Sequence, residues 1–116
     1  MKVEKPLFFE DFEEGQVYET DSQTIDEQEI VEFGQKYAPL PYHTDPEAAK
    51  DSSFGTLVAA GYQTAAITFG LFTRTGALSL FGMGSPGVDS LRWKRPVNVG
   101  DTLHDEAHVV EVSPAA

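Results

Sequence analysis

The 116-residue chain contains no cysteine, which excludes disulfide bonds and metal sites built on thiolate ligands. Basic residues are also scarce, with 8 Lys and Arg against 19 Asp and Glu and a formal net charge of −11. Nucleic acids and anionic membrane surfaces attract basic patches, so this balance argues against both as partners. An apolar run of only three residues near the N-terminus, 7–9, is too short for a signal peptide. A reducing cytosol is compatible with these absences, and we expect a cytoplasmic protein.

Charged residues are missing from one long stretch, residues 52–73. A membrane-spanning helix needs ~20 predominantly apolar residues, but this stretch holds four Thr, a Gln and three Gly. The better interpretation is a shorter helix over about 61–73, with apolar side chains on every side between Tyr62 and Phe72. A helix that is apolar all round is buried all round, so we predict that a sheet wraps around it.

The length fits one domain covering residues 1–116. Enrichment in Val, Tyr and Thr predicts strands near 16–22, 88–97 and 102–112. Apolar spacing predicts a helix over about 26–37, capped by Thr24 or Asp26.

Three prolines fall within eight residues, at positions 39, 41 and 46. Each fixes its own φ and disfavours the helical region for its predecessor, so the sequence predicts a stiff, extended loop that holds His43 in one place. Asp45 followed by Pro46 is typical of an N-cap and the first position of a helix.

Four motifs carry a resemblance to a known family: APLPYHTD at 38–45, FGTLVAAG at 54–61, GMGSPG at 82–87 and LRWKRPVNVGDTL at 91–103. In this order they resemble MaoC-like dehydratases and (R)-specific enoyl-CoA hydratases, over about residues 8–112. The resemblance implies an α+β hot-dog fold, an antiparallel sheet wrapped around a long buried helix. Family members continue past this point with further strands of the same sheet, so we expect one sheet edge or one helix face to be left open and a homodimer or larger assembly to cover it.

The resemblance also implies a hydro-lyase that adds water to a trans-2-enoyl thioester, with a coenzyme A thioester as substrate, no separate cofactor and no metal. By the same resemblance, His43 is the acid/base group, and the Gly61 and Tyr62 amides polarise the thioester carbonyl at the helix N-terminus. The resemblance places four further candidates around the substrate pocket: Ala38, Leu40, Tyr42 and Ala60.

Three of these positions depart from the family pattern. The family places an Asp five residues before the His, where this chain has Ala38, and Asn or Gln where it has Leu40. Ala60 replaces a small polar residue. Two functions therefore remain open: a weak hydratase, and a catalytically silent hot-dog subunit that binds acyl thioesters or supports a dimer. A thioesterase ranks last, because residues 52–73 supply no acid to activate water.

Simpler interpretations exist for several of these residues. His43 could hydrogen-bond a backbone group, and Gly61 could serve close packing. Arg92, Lys94 and Arg95 could form a solvated face rather than contact a phosphate. His104 and His108 lie four residues apart on a predicted strand, ~13 Å, so they cannot share a metal ion.

Overall fold

The computed structural model describes residues 7–78 and 84–113. The chain groups into two compact units: unit 1 comprises 1–22, 68–87 and 104–116, and unit 2 comprises 23–67 and 88–103. The helices are α1 (Glu27–Tyr37), α2 (Pro41–Thr44), α3 (Pro46–Ala49) and α4 (Gly61–Thr73), after a 3-10 turn at Phe9–Asp11. The strands are β1 (Val17–Glu19), β2 (Gln23–Thr24), β3 (Thr102–Leu103) and β4 (Glu106–His108).

Helices α1 and α3 begin where their capping residues predict. The Asp26 side chain accepts a hydrogen bond of 2.8 Å from the Glu29 amide at the start of α1. Asp45 accepts bonds from two amides of α3, and Pro46 occupies the first helical position. Both helix starts predicted from sequence are confirmed. Each Asp side chain accepts hydrogen bonds from amides that have no partner inside the helix, which stabilises the helix start.

The core of unit 2 collects small and branched apolar side chains from these elements. Its buried members are Ile25, Ile30, Ala49, Leu57 and Ala59. Strands β2 and β3 pair antiparallel beside it, and the Ile25 amide and carbonyl both bond residues of the 100–101 turn. This core fixes the segment that leads into α4, because residues 57–60 are all buried.

The predicted extended loop around His43 is wrong, because residues 41–44 form the short helix α2. Pro41 stands at its first position, where proline's fixed φ suits a helix and its missing N–H has no cost. Helix α1 approaches this turn closely at Gly34, where an added Cβ would lie 2.5 Å from the carbonyl oxygen of His43. Glycine therefore permits the close contact between α1 and α2.

Helix α4 has the predicted bounds, but its burial is less complete than expected. Gln63 and Leu71 are buried, whereas Tyr62 is 73% and Phe69 61% exposed. Within residues 7–78 and 84–113, each antiparallel sheet has two strands, fewer than we expected around α4. Among the described residues, no helix is long and apolar enough to cross a membrane.

Two predicted strands are also corrected. Residues 88–97 form no strand, and within the described chain the nearest pairing is an isolated bridge between Val58 and Asn98. The long strand predicted over 102–112 is two short strands, β3 and β4. A segment with high strand propensity forms a strand only where a neighbouring strand pairs with it. Residues 88–96 make no hydrogen bond to any described residue, so this segment has no such partner there.

Unit 1 contains the antiparallel pair of β1 and β4, in which Tyr18 lies opposite Ala107. The Tyr18 ring contacts Phe12 and meets Phe72 edge-on, each with centroids 6.3 Å apart.

Burial raises the pKa of Asp105 above its ordinary value. The glycine of the 82–87 motif at position 82 lies outside the described residues.

Candidate functional site

Unit 2 contains an open pocket of about 510 Å³. It brings together the His43 helix, the segment before α4, the first turns of α4 and the irregular segment that follows residue 91. Its lining consists of Tyr42, His43, Phe54, Val58, Ala59, Gly61, Thr64 and residues 92–97.

His43 is held from one side of its ring. The side chain is only 9% exposed, and Nδ1 lies 2.7 Å from the Val58 carbonyl oxygen. A carbonyl oxygen only accepts, so Nδ1 must carry the proton and donate it. The neutral ring then has its lone pair on Nε2, which makes no hydrogen bond to any described residue. The ring edge that can accept a proton is therefore free.

The segment before α4 is fixed by backbone hydrogen bonds on both sides. The Val58 amide donates to the Tyr42 carbonyl at 3.0 Å, and the Ala59 amide donates to the Val97 carbonyl at 2.9 Å. Residues 58 and 59 thus tie the start of α4 both to the His43 helix and to Val97.

The start of α4 presents amides without partners. Ala60 precedes the helix and has no side-chain acceptor to cap it. In the described part of the chain, neither the Gly61 nor the Tyr62 amide donates a hydrogen bond to a protein group. Helix N-termini combine such free donors with a partial positive charge, so this end of α4 suits a carbonyl oxygen that gains negative charge.

Trp93 lies against the same helix start. A Cβ added at Gly61 would be 2.6 Å from Nε1 of the indole, so only glycine allows this contact. The Tyr62 ring meets the indole edge-on, with centroids 5.8 Å apart. The indole thus forms the pocket wall beside the two free amides.

Three of the chain's eight basic residues line this one pocket: Arg92, Lys94 and Arg95. All three are exposed, and none forms an ion pair with another described residue. In a chain with a net charge of −11, they concentrate positive charge at the pocket.

The pocket includes some of the residues predicted from sequence and not others. Tyr42, His43 and Gly61 line it, whereas Ala38, Leu40, Ala60 and Tyr62 are not among its lining residues. Ala38 is the C-cap of helix α1, and its carbonyl accepts a hydrogen bond from the Leu40 amide at 2.7 Å. The simpler interpretations also hold in part, because His43 bonds a backbone carbonyl and Gly61 is closely packed.

Sequence reasoning missed several pocket residues, among them Phe54, Thr64 and Trp93. Thr64 follows Gly61 by three residues on α4 and so falls near the same face. Trp93 had a weak signal as the single tryptophan within a family motif. Its contact with Gly61 links residues 32 positions apart, which no local pattern encodes.

Comparison with known proteins identifies the family. The model of the MaoC like domain matches residues 10–115. The chain belongs to the MaoC-like domain family. Among curated proteins, Protein MaoC of Klebsiella aerogenes is 33% identical over 97 residues, which are 83% of this chain and 28% of that protein.

Solved structures extend this likeness to the fold of this MaoC-like domain. A MaoC-like dehydratase from Rhodospirillum rubrum is 36% identical with a TM-score of 0.86, over 94% of this chain and 74% of that one. The R-hydratase PhaJ1 from Pseudomonas aeruginosa is 30% identical with a TM-score of 0.65, over 89% of this chain and 64% of that one. The predicted α+β hot-dog fold is confirmed.

Proposed function

We propose that this MaoC-like chain binds enoyl thioesters of coenzyme A and hydrates them slowly. One observation carries the proposal: the pocket of unit 2 places the free Nε2 edge of a fixed His43 together with Gly61, at the uncapped start of α4. Membership of a family with hydratase and dehydratase relatives supports it.

Water addition to an enoyl thioester needs a base for the water, a proton for the α-carbon and donors for the enolate oxygen. His43 Nε2 takes the proton from water as the oxygen attacks the β-carbon. The Gly61 and Tyr62 amides hold the thioester oxygen while it carries negative charge. The imidazolium then returns the proton to the α-carbon.

The basic residues of the pocket fit the substrate's other end. Coenzyme A carries several phosphate charges, and Arg92, Lys94 and Arg95 offer free cationic groups beside the site. No cofactor beyond the coenzyme A thioester itself is part of this proposal. A single-domain organisation, a homodimer or larger assembly and a cytoplasmic location belong to the same proposal.

The second candidate is a silent subunit that binds thioesters without turnover. It is favoured by one observation, because no Asp or Glu is found among the described residues that line the pocket. Without a carboxylate, His43 alone must orient and deprotonate the water. Losing one positioned acid/base group typically lowers the rate ~10²–10⁴-fold, so the two candidates differ in degree of turnover.

The test follows the loss of enoyl absorbance with crotonyl-CoA and longer enoyl-CoAs. We expect slow hydration that His43→Asn lowers by a further ~10²–10⁴-fold. Asn keeps an N–H donor for the Val58 carbonyl but supplies no base. Asp45→Asn is the matched control, since Asn caps α3 as well as Asp and residue 45 does not line the pocket. Binding with no turnover supports the silent subunit, and hydration unaffected by His43→Asn contradicts the proposed site.

A further inference from the structure

Among the described residues that line the pocket, one side chain offers an unpaired basic nitrogen. Among its described lining residues, Arg92, Lys94 and Arg95 are cations, and Tyr42 and Thr64 carry hydroxyl groups that are weak bases. His43 is the exception, nine-tenths buried with its Nε2 edge unpaired by the described residues. The reactions that suit this pocket best are those that need a single base.

The pocket also has a place for a negative oxygen. The Gly61 amide, with the Tyr62 amide beside it, has no protein acceptor in the described part of the chain. Amide donors at a helix start stabilise an enolate oxygen without adding a second base. A fixed base together with an enolate site is sufficient for moving a proton between two carbons.

We propose that this pocket catalyses migration of a double bond in 3-enoyl thioesters, giving the conjugated 2-enoyl thioesters. The inference rests on the proposed function for the thioester site and extends it to a reaction that needs no water. It explains how the pocket can work without a carboxylate, because no attacking water has to be oriented.

In this step His43 is the only group that carries a proton, from C2 to C4. Nε2 takes a proton from C2, and the C2–H electron pair delocalises over the C3=C4 bond and the thioester carbonyl. The resulting dienolate carries its negative charge on the oxygen held by the amides at the start of α4. The imidazolium then gives the proton to C4, the C4–H bond forms, and the double bond lies between C2 and C3. No water, oxidant or second substrate is consumed.

The fixed ring favours this transfer. C2 and C4 of the dienolate are separated by one carbon, so the same Nε2 can serve both from one face of the substrate. The bond from Nδ1 to the Val58 carbonyl keeps Nε2 as the working nitrogen throughout, since Nδ1–H remains a donor in both the neutral and the charged ring.

The experiment incubates the full chain with 3-hexenoyl-CoA in D2O and follows the product by NMR. We expect 2-hexenoyl-CoA that carries mainly protium at C4, because His43 delivers there the proton taken from C2, and a rate that His43→Asn lowers roughly 100-fold or more. Asp45→Asn should keep the full rate, because its side chain caps α3. His43→Gln serves as a second base-free variant, and circular dichroism verifies that each variant is folded.

Parallel assays separate this inference from the proposed function. Crotonyl-CoA hydration is measured on the same preparation, and its binding is measured by calorimetry. Migration that depends on His43 supports the inference, whether or not hydration is seen. Hydration or binding of crotonyl-CoA without migration overturns this inference alone. Absence of binding and of both reactions overturns the inference together with the thioester site.

Discussion

The two sides of the pocket in unit 2 are built differently. The histidine segment, residues 40–44, is bonded within itself, through the His43 amide to the Leu40 carbonyl at 2.9 Å, and to residue 58 from both backbone and ring. The basic segment, residues 91–96, makes no hydrogen bond to any described residue, and Trp93 is 48% exposed. His43 is therefore held on a fixed backbone, and the basic side chains lie on a segment without hydrogen bonds to the described residues.

This difference separates two kinds of effect. Changes that move the histidine segment should alter both the free energy of unfolding and the proposed reaction rate. The reason is that the same hydrogen bonds stabilise its backbone and position the His43 ring. Changes in the basic segment should alter affinity and leave folding nearly unchanged, because its side chains are exposed and unpaired.

The largest expected effect is at Gly34, which lets α1 approach the histidine segment. Gly34→Ala would put a Cβ 2.5 Å from the His43 carbonyl oxygen. We expect a loss of about 1–3 kcal/mol in the free energy of unfolding, measured by urea titration, despite alanine's better helix propensity.

The matched control for this prediction is Gly70→Ala in α4. There the added Cβ would meet the end of the Arg74 side chain at 3.0 Å, which can move aside. This variant should be neutral or stabilised by up to about 1 kcal/mol. Equal destabilisation by both substitutions would contradict the expectation that the close approach at Gly34 makes its substitution costly.

The second prediction introduces, two residues before the histidine segment, the carboxylate that the family resemblance implies at position 38. Ala38→Asp combined with Leu40→Asn should raise hydration of crotonyl-CoA at least tenfold, roughly 1.4 kcal/mol of transition-state stabilisation. The reason is that a carboxylate can hold the attacking water for His43. Adding His43→Ala to the double variant should remove the gain, and an unchanged rate in the double variant would place the water elsewhere.

The smallest effect is expected in the basic segment. Lys94→Gln should raise KM for enoyl-CoA about two- to fivefold at low salt with unchanged kcat, since an exposed charge pair contributes 0.2–1 kcal/mol. The increase should fade as ionic strength rises. Lys50→Gln is the control, because Lys50 is exposed, pairs with Glu47 at 3.0 Å and lies outside the pocket. A similar KM for both variants would contradict the role of the basic segment.

Local signals predicted the parts of the fold that local chemistry decides. Asp26 and Asp45 marked two helix starts, and the uncharged run gave the bounds of α4. The extended loop predicted around Pro41 was wrong, because proline suits both an extended loop and the first position of a helix. The strand predicted over 88–97 failed because pairing depends on a distant partner.

The sequence predicted two residues of the site but not how they are oriented or what packs against them. The motif around His43 and the glycine at the start of α4 pointed to two residues that do share a pocket. The orientation of the ring could not be predicted, since it depends on the carbonyl of Val58, fifteen residues away. A glycine at a helix start indicates close packing, but the sequence around Gly61 does not indicate that the packing residue is Trp93.

The indole beside Gly61 has an optical consequence. Trp93 is the single tryptophan in 116 residues, so all tryptophan fluorescence of the unmodified protein arises at this pocket. A thioester that reaches the Gly61 amide must displace the indole or share its surroundings, because the ring lies against that residue. We therefore expect the emission of the native chain to change when a thioester occupies the proposed site, without a label and without any turnover.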